Sequence, residues 1–425
     1  MSQMMTSRNG TLRGDPGRWP DVAVVPRCPS RAGIARALLR RTADRLPVRV
    51  TGPGGVAFGA GDIGSPVLAL HRPDDFYQRI GAAGLIGFGE SYMAGDWDCD
   101  DLTGLLTAFA GRVDSLVPRP LQGLRRFYVR RAPASDDASE GNARSNIRRH
   151  YDLSNELFAL FLDETMTYSS ALFREDAAGQ PVAAAHLLAG AQERKIDRLL
   201  DVAGVGPSSR VLEIGTGWGE LAIRAAARGA RVRTVTLSQE QAVLAAERIE
   251  RAGLDGRVAV ELRDYRQVTG RFDAILSVEM IEAVGERYWP DYFAALNRLL
   301  APGGRIGLQS ITMPHRRMVA TRYTHTWVLK YIFPGGLIPS VTAIEEHAAA
   351  AGLRVAARRD FGAHYGQTLR LWRERFCASE ADVRRLGFDE VFARMWLLYL
   401  SYAEAGFRSR YLDVAQFLLV KGGSG

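Results

Sequence analysis

Short runs of aliphatic and β-branched residues alternate with amphipathic segments over residues 189–311. The predicted strands are residues 210–214, 231–237, 257–262, 272–278 and 305–311, and the predicted helices are residues 189–204, 218–229, 239–253 and 289–300. Strands and helices that alternate in this way are typical of a parallel sheet covered by helices on both faces. We therefore predict an α/β fold with a doubly wound sheet for this part of the chain.

The N-terminal part of the chain has a different pattern. Residues 33–46 have apolar residues at helical spacing, short strands are predicted at residues 48–51 and 67–70, and helices are predicted within residues 73–112. This mixture of elements predicts a smaller α+β domain that precedes the sheet-containing domain.

Two segments have the composition of irregular chain. Residues 1–30 mix Gly, Pro, Ser and Arg without periodicity, which is typical of a disordered tail. Residues 131–146 are rich in Ala, Ser, Asp and Gly and have no apolar stripe, which is typical of a linker. We therefore predict four parts: a disordered tail (1–30), an N-terminal domain (31–130), a linker (131–146) and the sheet-containing domain (147–425).

The composition of the 425 residues excludes several classes of protein. No window approaches the roughly 18 uninterrupted apolar residues of a membrane-spanning helix, and the first residues lack the apolar core of a secretory signal. Cys28, Cys99 and Cys377 are far apart, so the sequence indicates neither a disulfide framework nor a zinc site. We therefore expect no bound metal and a cytoplasmic location.

Positive charge is concentrated in two segments, although the net charge of the whole chain is only +8. Residues 1–50 hold ten arginines against three aspartates, and residues 111–150 hold nine arginines against four acidic residues. This distribution suits an anionic partner, either phospholipid headgroups or nucleic acid. A solvated arginine-rich surface without a partner would have the same pattern.

A glycine-rich loop follows the first strand of the alternating region. The segment VLEIGTGWGE places Gly215, Gly217 and Gly219 between a strand and a helix, where a ligand can touch bare backbone. Nucleotide, flavin and S-adenosylmethionine (SAM) sites all use such loops. The third glycine of the dinucleotide-binding fingerprint is missing, and Glu213 precedes the loop, as in SAM-dependent methyltransferases.

The ends of the next strands favour the same ligand. Thr236 and Gln241 follow the second strand, where they could hold the ribose hydroxyl groups, whereas dinucleotide enzymes more often have an acid there. Asp264 and Tyr265 follow the third strand, where an acid can accept a hydrogen bond from the adenine amino group and an aromatic ring can stack nearby. The sequence therefore predicts a SAM-dependent transferase with the class I methyltransferase fold.

Five motifs in order resemble one family of these enzymes, the cyclopropane-fatty-acyl-phospholipid synthases, which include the mycolic acid cyclopropane synthases. The motifs are HYDLSNELFALFLDETMTYSSALF (150–173), VLEIGTGWGE (211–220), VTLSQEQ (235–241), SVEMIEAVG (277–285) and FGAHYGQTLRLWRERF (361–376). The resemblance covers roughly residues 145–380.

The resemblance implies a reaction on lipid. SAM donates a methyl group to a cis double bond in an acyl chain of a phospholipid, and the resulting carbocation loses a proton from the new methyl group and closes to a cyclopropane ring. In this family a bound bicarbonate is the base. It is held by a glutamate, a histidine, a tyrosine and backbone groups, one of them at a cysteine.

The resemblance assigns these roles to residues of this chain. The glutamate corresponds to Glu282 and the tyrosine to Tyr365, while Tyr168 and Ser169 match a segment that borders SAM. Glu282 could instead be only a helix cap, and Tyr365 only a core aromatic residue.

Two residues depart from the family pattern. The cysteine is replaced by Ser170, whose backbone N–H could serve equally well, and the histidine is replaced by Gln309, which can donate a hydrogen bond but cannot titrate. Bicarbonate binding could therefore survive in altered form. LQSIT (308–312) and YIFPGG (331–336) are typical of a distinct subgroup, and a different fate of the cation would give a methylene-branched chain.

The leading hypothesis is a cyclopropane-fatty-acyl-phospholipid synthase, and the first alternative is the methylene-branching reaction. A SAM-dependent methyltransferase of a soluble small molecule, with Glu282 as general base, is a second alternative, and a non-catalytic lipid-binding protein is a third. Residues 313–340 combine basic and aromatic residues that could cover an acyl chain or simply pack on the core.

The resemblance also implies partners and a location. We expect unsaturated phospholipid at the inner face of the membrane as substrate, an N-terminal domain that associates with lipid, and a possible homodimer. Nucleic acid is disfavoured as a substrate because the chain lacks an Asn/Asp-Pro-Pro-aromatic motif.

Overall fold

The computed structural model describes residues 14–112 and 154–422. These residues divide into two compact units. The small unit contains residues 14–112, 324–331 and 372–411, and the large unit contains residues 154–323, 332–371 and 412–422. The predicted linker, residues 131–146, lies outside the described residues.

The N-terminal part of the small unit combines helices with a four-stranded sheet. Its elements are α1 (Pro20–Ala23), α2 (Pro29–Ala43), β1 (Arg49–Gly52), β2 (Val56–Phe58), β3 (Val67–Leu70), α3 (Pro73–Ala83), α4 (Leu85–Met93), β4 (Trp97–Cys99) and α5 (Leu102–Ala110). The strand order is β2-β1-β3-β4, in which only β1 and β3 are parallel. The strands predicted near residues 48–51 and 67–70 are thereby confirmed.

Part of the predicted disordered tail is ordered in the structure. The buried guanidinium of Arg79 donates hydrogen bonds to the backbone carbonyls of Asp21, Val22 and Val24 and forms an ion pair with Asp96 at 3.0 Å. Residues 14–30 therefore differ from the expectation because a buried charge from α3 binds the carbonyl groups of α1 and its end.

The remaining elements follow in chain order. They are α6 (Asn155–Phe161), α7 (Leu188–Val202), β5 (Arg210–Ile214), α8 (Glu220–Ala227), β6 (Arg231–Thr236), α9 (Gln239–Arg251), β7 (Val258–Leu262), β8 (Phe272–Val278), α10 (Ile281–Val284), α11 (Trp289–Leu299), β9 (Leu300–Thr312), α12 (His315–Thr321), α13 (Trp327–Tyr331), α14 (Val341–Ala350), β10 (Leu353–Asp360), α15 (Gly362–Ala378), α16 (Glu380–Arg385), α17 (Glu390–Arg408) and β11 (Asp413–Lys421). Helix α13, helices α16 and α17 and the end of α15 belong to the small unit.

The large unit is built on a seven-stranded sheet with the order β10-β11-β9-β8-β5-β6-β7. Strands β5 to β9 are parallel, as predicted. Strand β11 is antiparallel to β9, and β10 is antiparallel to β11. The sequence did not predict these two strands, which extend the sheet beyond the alternating region.

Neighbouring residues of the central strands pack on opposite faces of this sheet, as strand geometry requires. Leu212 and Ile275 join the core beneath α11 and α14, whereas Val211 and Leu276 join the core beneath α7 and α8. Because both faces are covered, ligands have access at the carboxyl edge of the parallel strands. Within the described residues, no helix is both long and apolar enough to cross a membrane.

Candidate active site

The glycine-rich loop leads from the end of β5 into α8. Gly215, Gly217 and Gly219 have φ values of 96°, 52° and 92°, which other residues rarely adopt. A Cβ atom on Gly219 would lie 3.2 Å from the Cβ atom of Ala245 on α9, whereas a Cβ atom on Gly217 would meet nothing within 4 Å. The loop therefore packs closely against α9 on one side and is open on the other.

Glu213 is the acid that precedes this loop, and its side chain is buried. Its Oε2 atom has no hydrogen-bond partner among the described residues. Burial raises the pKa of Glu213 to about 8, while a hydrogen bond from Thr234 and the charge of Lys195 oppose the rise. A buried carboxylate oxygen without a partner fits a ligand that brings a positive charge, such as the methionine ammonium group of SAM.

The other predicted cofactor residues lie at the ends of the neighbouring strands. The Thr236 hydroxyl donates a hydrogen bond to Gln241 Oε1 at 3.0 Å. The Asp264 carboxylate accepts from Arg266 Nε at 2.9 Å and from Arg266 Nη2 at 2.6 Å. The ring of Tyr265 packs edge-to-face on Tyr292, in the core on the α11 side. These positions agree with a SAM site, but contacts within the protein already engage their side chains.

Helix α7 holds the segment that contains Tyr168 and Ser169. Lys195 Nζ donates to Ser169 Oγ at 2.7 Å, and Gln192 Nε2 donates to the backbone carbonyl of Ser169 at 2.9 Å. The ring of Tyr168 packs edge-to-face on Phe158 with the ring centroids 5.1 Å apart.

Ser170, Gln309 and Tyr365, which the resemblance assigns to the catalytic site, all donate hydrogen bonds to one acid. This acid is Glu279, which was not among the predicted site residues. Glu279 Oε1 accepts from the backbone N–H of Ser170 at 3.0 Å and from Gln309 Nε2 at 2.8 Å. Glu279 Oε2 accepts from the hydroxyl group of Tyr365 at 2.6 Å. One carboxylate therefore binds all three donors.

The conformation of Glu279 is unusual. It directly follows β8 and has a φ value of 50°, in the left-handed region. Strain of this kind persists only where the surroundings enforce it, and it is concentrated at functional sites. Desolvation raises the pKa of Glu279, and its three hydrogen bonds and the charge of Lys195 oppose that rise. The sequence signal that could have identified Glu279 is its position as an acid at the carboxyl end of a central strand.

Glu282, the predicted catalytic glutamate, has different partners. Its Oε1 atom accepts from the hydroxyl group of Ser310 at 2.9 Å and from the backbone N–H of Ile311 at 2.6 Å. Its Oε2 atom is buried and has no partner among the described residues. Desolvation, with a smaller contribution from the charge of Glu279, raises the pKa of Glu282 to about 8.

These contacts bear on the bicarbonate that the resemblance implies. The three donors expected to hold it all bind the carboxylate of Glu279, and Glu282 is not one of their partners. The described residues therefore do not fit a bicarbonate at this position.

A hydrogen bond from Gln416 fixes the orientation of the Gln309 side chain. Gln416 Nε2 donates to Gln309 Oε1 at 3.0 Å and to the backbone carbonyl of Lys195 at 3.0 Å. Because the oxygen of Gln309 accepts from Gln416, its amide nitrogen must face Glu279. Gln309 therefore acts as a fixed donor to the carboxylate.

The fold and the site together define the class of protein. A central, mostly parallel sheet, a glycine loop after its first strand and a buried acid before that loop are those of a class I SAM-dependent methyltransferase, and SAM is the methyl donor. The family model described as mycolic acid cyclopropane synthetase matches residues 138–417, and the chain belongs to this family.

Several similar proteins are enzymes named for lipid substrates. The chain is 58% identical to a tuberculostearic acid methyltransferase of Mycobacterium tuberculosis over 98% of its own length and 99% of the relative. It is 34% identical to the cyclopropane-fatty-acyl-phospholipid synthase of Escherichia coli over 82% of its length and 86% of the relative. The crystal structure of the mycolic acid cyclopropane synthase CmaA1 with SAH and CTAB has a TM-score of 0.59 at 31% identity, covering 65% of this chain and 97% of that one.

The raised pKa values of Glu213 and Glu282 predict how the stability of the free protein depends on pH. Both carboxyl groups have a pKa of about 8 in the folded protein, against 4.5 as the unperturbed value. The folded state therefore holds protons that the unfolded state has lost, so the free energy of unfolding decreases as the pH rises from about 5 to about 8.

Thermal unfolding of wild type and Glu282→Gln across this range measures the effect. The glutamine is neutral at every pH, so the variant should gain stability relative to wild type as the pH rises. A difference in melting temperature between the two proteins that stays constant with pH would contradict the raised pKa of Glu282.

Proposed function

We propose that the protein methylates the cis double bond of an unsaturated phospholipid acyl chain with SAM and forms a methylene-branched chain, with Glu279 as the base. The observation that carries this proposal is the convergence of Ser170, Gln309 and Tyr365 on the Glu279 carboxylate. The 58% identity to a relative that is named a tuberculostearic acid methyltransferase, and not a cyclopropane synthase, supports the branched product.

The chemistry needs few groups from the protein. SAM supplies an electrophilic methyl group, and an alkene attacks it without first losing a proton, so no activated serine, cysteine or lysine is required. The protein must align the double bond, exclude water and accept one proton at the end. A single fixed base next to the reacting carbons meets the last requirement.

Glu279 has the properties of such a base. Its carboxylate has the same two oxygen acceptors as bicarbonate, and the three donors hold it in one orientation. Burial raises its pKa and so strengthens it as a proton acceptor, while the hydrogen bonds favour the charged form that can accept the proton.

The proposed reaction has three steps after the alkene and SAM are bound: methyl transfer, a hydride shift and loss of a proton. Methyl transfer to one alkene carbon leaves a cation on its neighbour, and a hydride shift from the methylated carbon moves the charge onto that carbon. Loss of a proton from the new methyl group to Glu279 then gives a methylene branch (C=CH2) on the acyl chain. A separate reductase would be needed to convert it to a methyl branch. Loss of a methyl proton from the first cation to the same base, with closure of the ring, would give the cyclopropane instead.

We propose that the acyl chain comes from a phospholipid at a membrane surface. The arginine excess in residues 1–50 and 111–150 supports this assignment because anionic headgroups attract such segments. The arginine-rich segment 119–131 lies outside the described residues.

Mass spectrometry of phospholipid acyl chains tests the proposal after expression in a bacterium that lacks its own cyclopropane synthase. We expect unsaturated chains to gain the mass of one methylene group and, after mild hydrogenation, of one further molecule of hydrogen. A product that gains the methylene mass but resists hydrogenation would be a cyclopropane and would overturn the branched assignment. No gain in mass would overturn the acyl substrate. Cells that express Glu279→Gln provide the matched negative control.

A further inference from the structure

Lys195 is a buried cation that the reaction proposed above does not use. It is one of only three lysines in the chain, lies on α7 and is 1% exposed. Its ammonium group donates a hydrogen bond to Ser169 Oγ at 2.7 Å. Within residues 14–112 and 154–422, no carboxylate forms an ion pair with it.

Burial of an ammonium group without a paired anion is unfavourable. Desolvation lowers the pKa of Lys195 to about 8, although the charges of Glu279, Asp163 and Glu213 act to raise it. An ammonium group has three donors, and the described residues accept only one of them. The surroundings of Lys195 therefore favour the approach of an anionic group.

Ser169, the partner of this charge, lies in the segment that the family resemblance places beside SAM. Its hydroxyl oxygen accepts from Lys195, so its own proton is free to be donated, and Gln192 fixes the backbone of Ser169 through its carbonyl. Glu213, whose charge acts on Lys195, keeps one buried oxygen without a partner. The Ser169 hydroxyl group, which is bound by the Lys195 cation, complements the negatively charged carboxylate of an amino-acid group. The unpartnered oxygen of Glu213 complements its positively charged ammonium group.

We propose that Lys195 anchors the carboxylate of the methionine end of SAM through the hydroxyl group of Ser169, while Glu213 binds the ammonium group of the same ligand. Lys195 is a positioning residue because it acts through Ser169. This binding of the methyl donor does not depend on which acyl product forms.

A purely structural role for Lys195 predicts a different pattern of binding. If the lysine only held the segment around Ser169 in place, its loss would disturb the whole pocket, including the part that binds the adenosine group. Two ligands separate these cases: SAH carries the amino-acid group, and 5′-methylthioadenosine lacks it.

Calorimetric titration of both ligands into wild type, Lys195→Met, Ser169→Ala and the double variant tests the proposal. We expect each single variant to bind SAH about 10- to 100-fold more weakly, the range for one lost hydrogen bond to a charged group. We expect unchanged affinity for 5′-methylthioadenosine, and a loss in the double variant no larger than in either single variant. Lys421→Met is the matched control because Lys421 lies at the end of β11, and both affinities should be retained.

Equal weakening of both ligands in Lys195→Met, or unchanged SAH affinity, would overturn the proposal. If Lys195→Met does not fold, Ser169→Ala carries the test because it removes one oxygen atom and leaves the lysine in place. Unchanged SAH affinity in Ser169→Ala would then overturn the relay through the hydroxyl group.

Discussion

Glu279→Gln is expected to lower turnover by about 100- to 10,000-fold, the range for loss of a positioned general base. The glutamine has nearly the shape of glutamate and can still accept hydrogen bonds through its amide oxygen. It cannot accept the proton that the cation must lose. Because Glu279 serves the proton transfer, we expect the affinity for SAH to be unchanged.

Single-turnover assays with unsaturated phospholipid vesicles, together with calorimetric titration of SAH, measure both quantities. Glu282→Gln is the informative comparison because the two acids are three residues apart and only Glu279 binds Ser170, Gln309 and Tyr365. We expect the larger loss of turnover at Glu279. Full activity in Glu279→Gln, or a larger loss in Glu282→Gln, would contradict the assignment of the base.

Gly219→Val is expected to weaken SAH binding by about 100-fold or more and to lower the melting temperature. Gly219 has a φ value of 92°, which is strained for valine, and an added Cβ atom would lie 3.2 Å from the Cβ atom of Ala245 on α9. Backbone strain and overpacking together cost about 2–6 kcal/mol. The protein can relieve them only by moving the loop that faces SAM.

The matched control for this substitution is Gly256→Val. A Cβ atom on Gly256 would meet nothing within 4 Å, and its φ value lies outside the left-handed range. We expect this variant to bind SAH and to unfold as wild type does. Near-normal SAH binding in Gly219→Val would show that the loop does not require the left-handed conformation at this position.

The sequence predicted the parallel part of the sheet because its signal is local. Alternation of short apolar runs with amphipathic helices identified strands β5 to β9 to within a few residues, apart from an earlier start of β9. The antiparallel addition of β10 and β11 depends on pairing between segments far apart in the chain, which periodicity does not encode. The order of residues 14–30 likewise depends on the buried guanidinium of Arg79.

The sequence selected the three residues that converge in the structure, but not the acid that they bind. Ser170, Gln309 and Tyr365 were all selected by their motifs, although they lie far apart in the chain. The acid they share, Glu279, was missed because the family pattern places its glutamate three residues later, at Glu282. Only the folded backbone, with Glu279 in the left-handed conformation, shows which carboxylate the three donors bind.

The proposed replacement of bicarbonate by Glu279 is tested most directly by the bicarbonate dependence of turnover. The purified protein is assayed with SAM and unsaturated phospholipid vesicles in buffer freed of carbon dioxide, and again after bicarbonate is added. We expect the same rate in both conditions because the base is part of the chain. A rate that collapses without bicarbonate and returns on its addition would contradict a catalytic role for the Glu279 carboxylate.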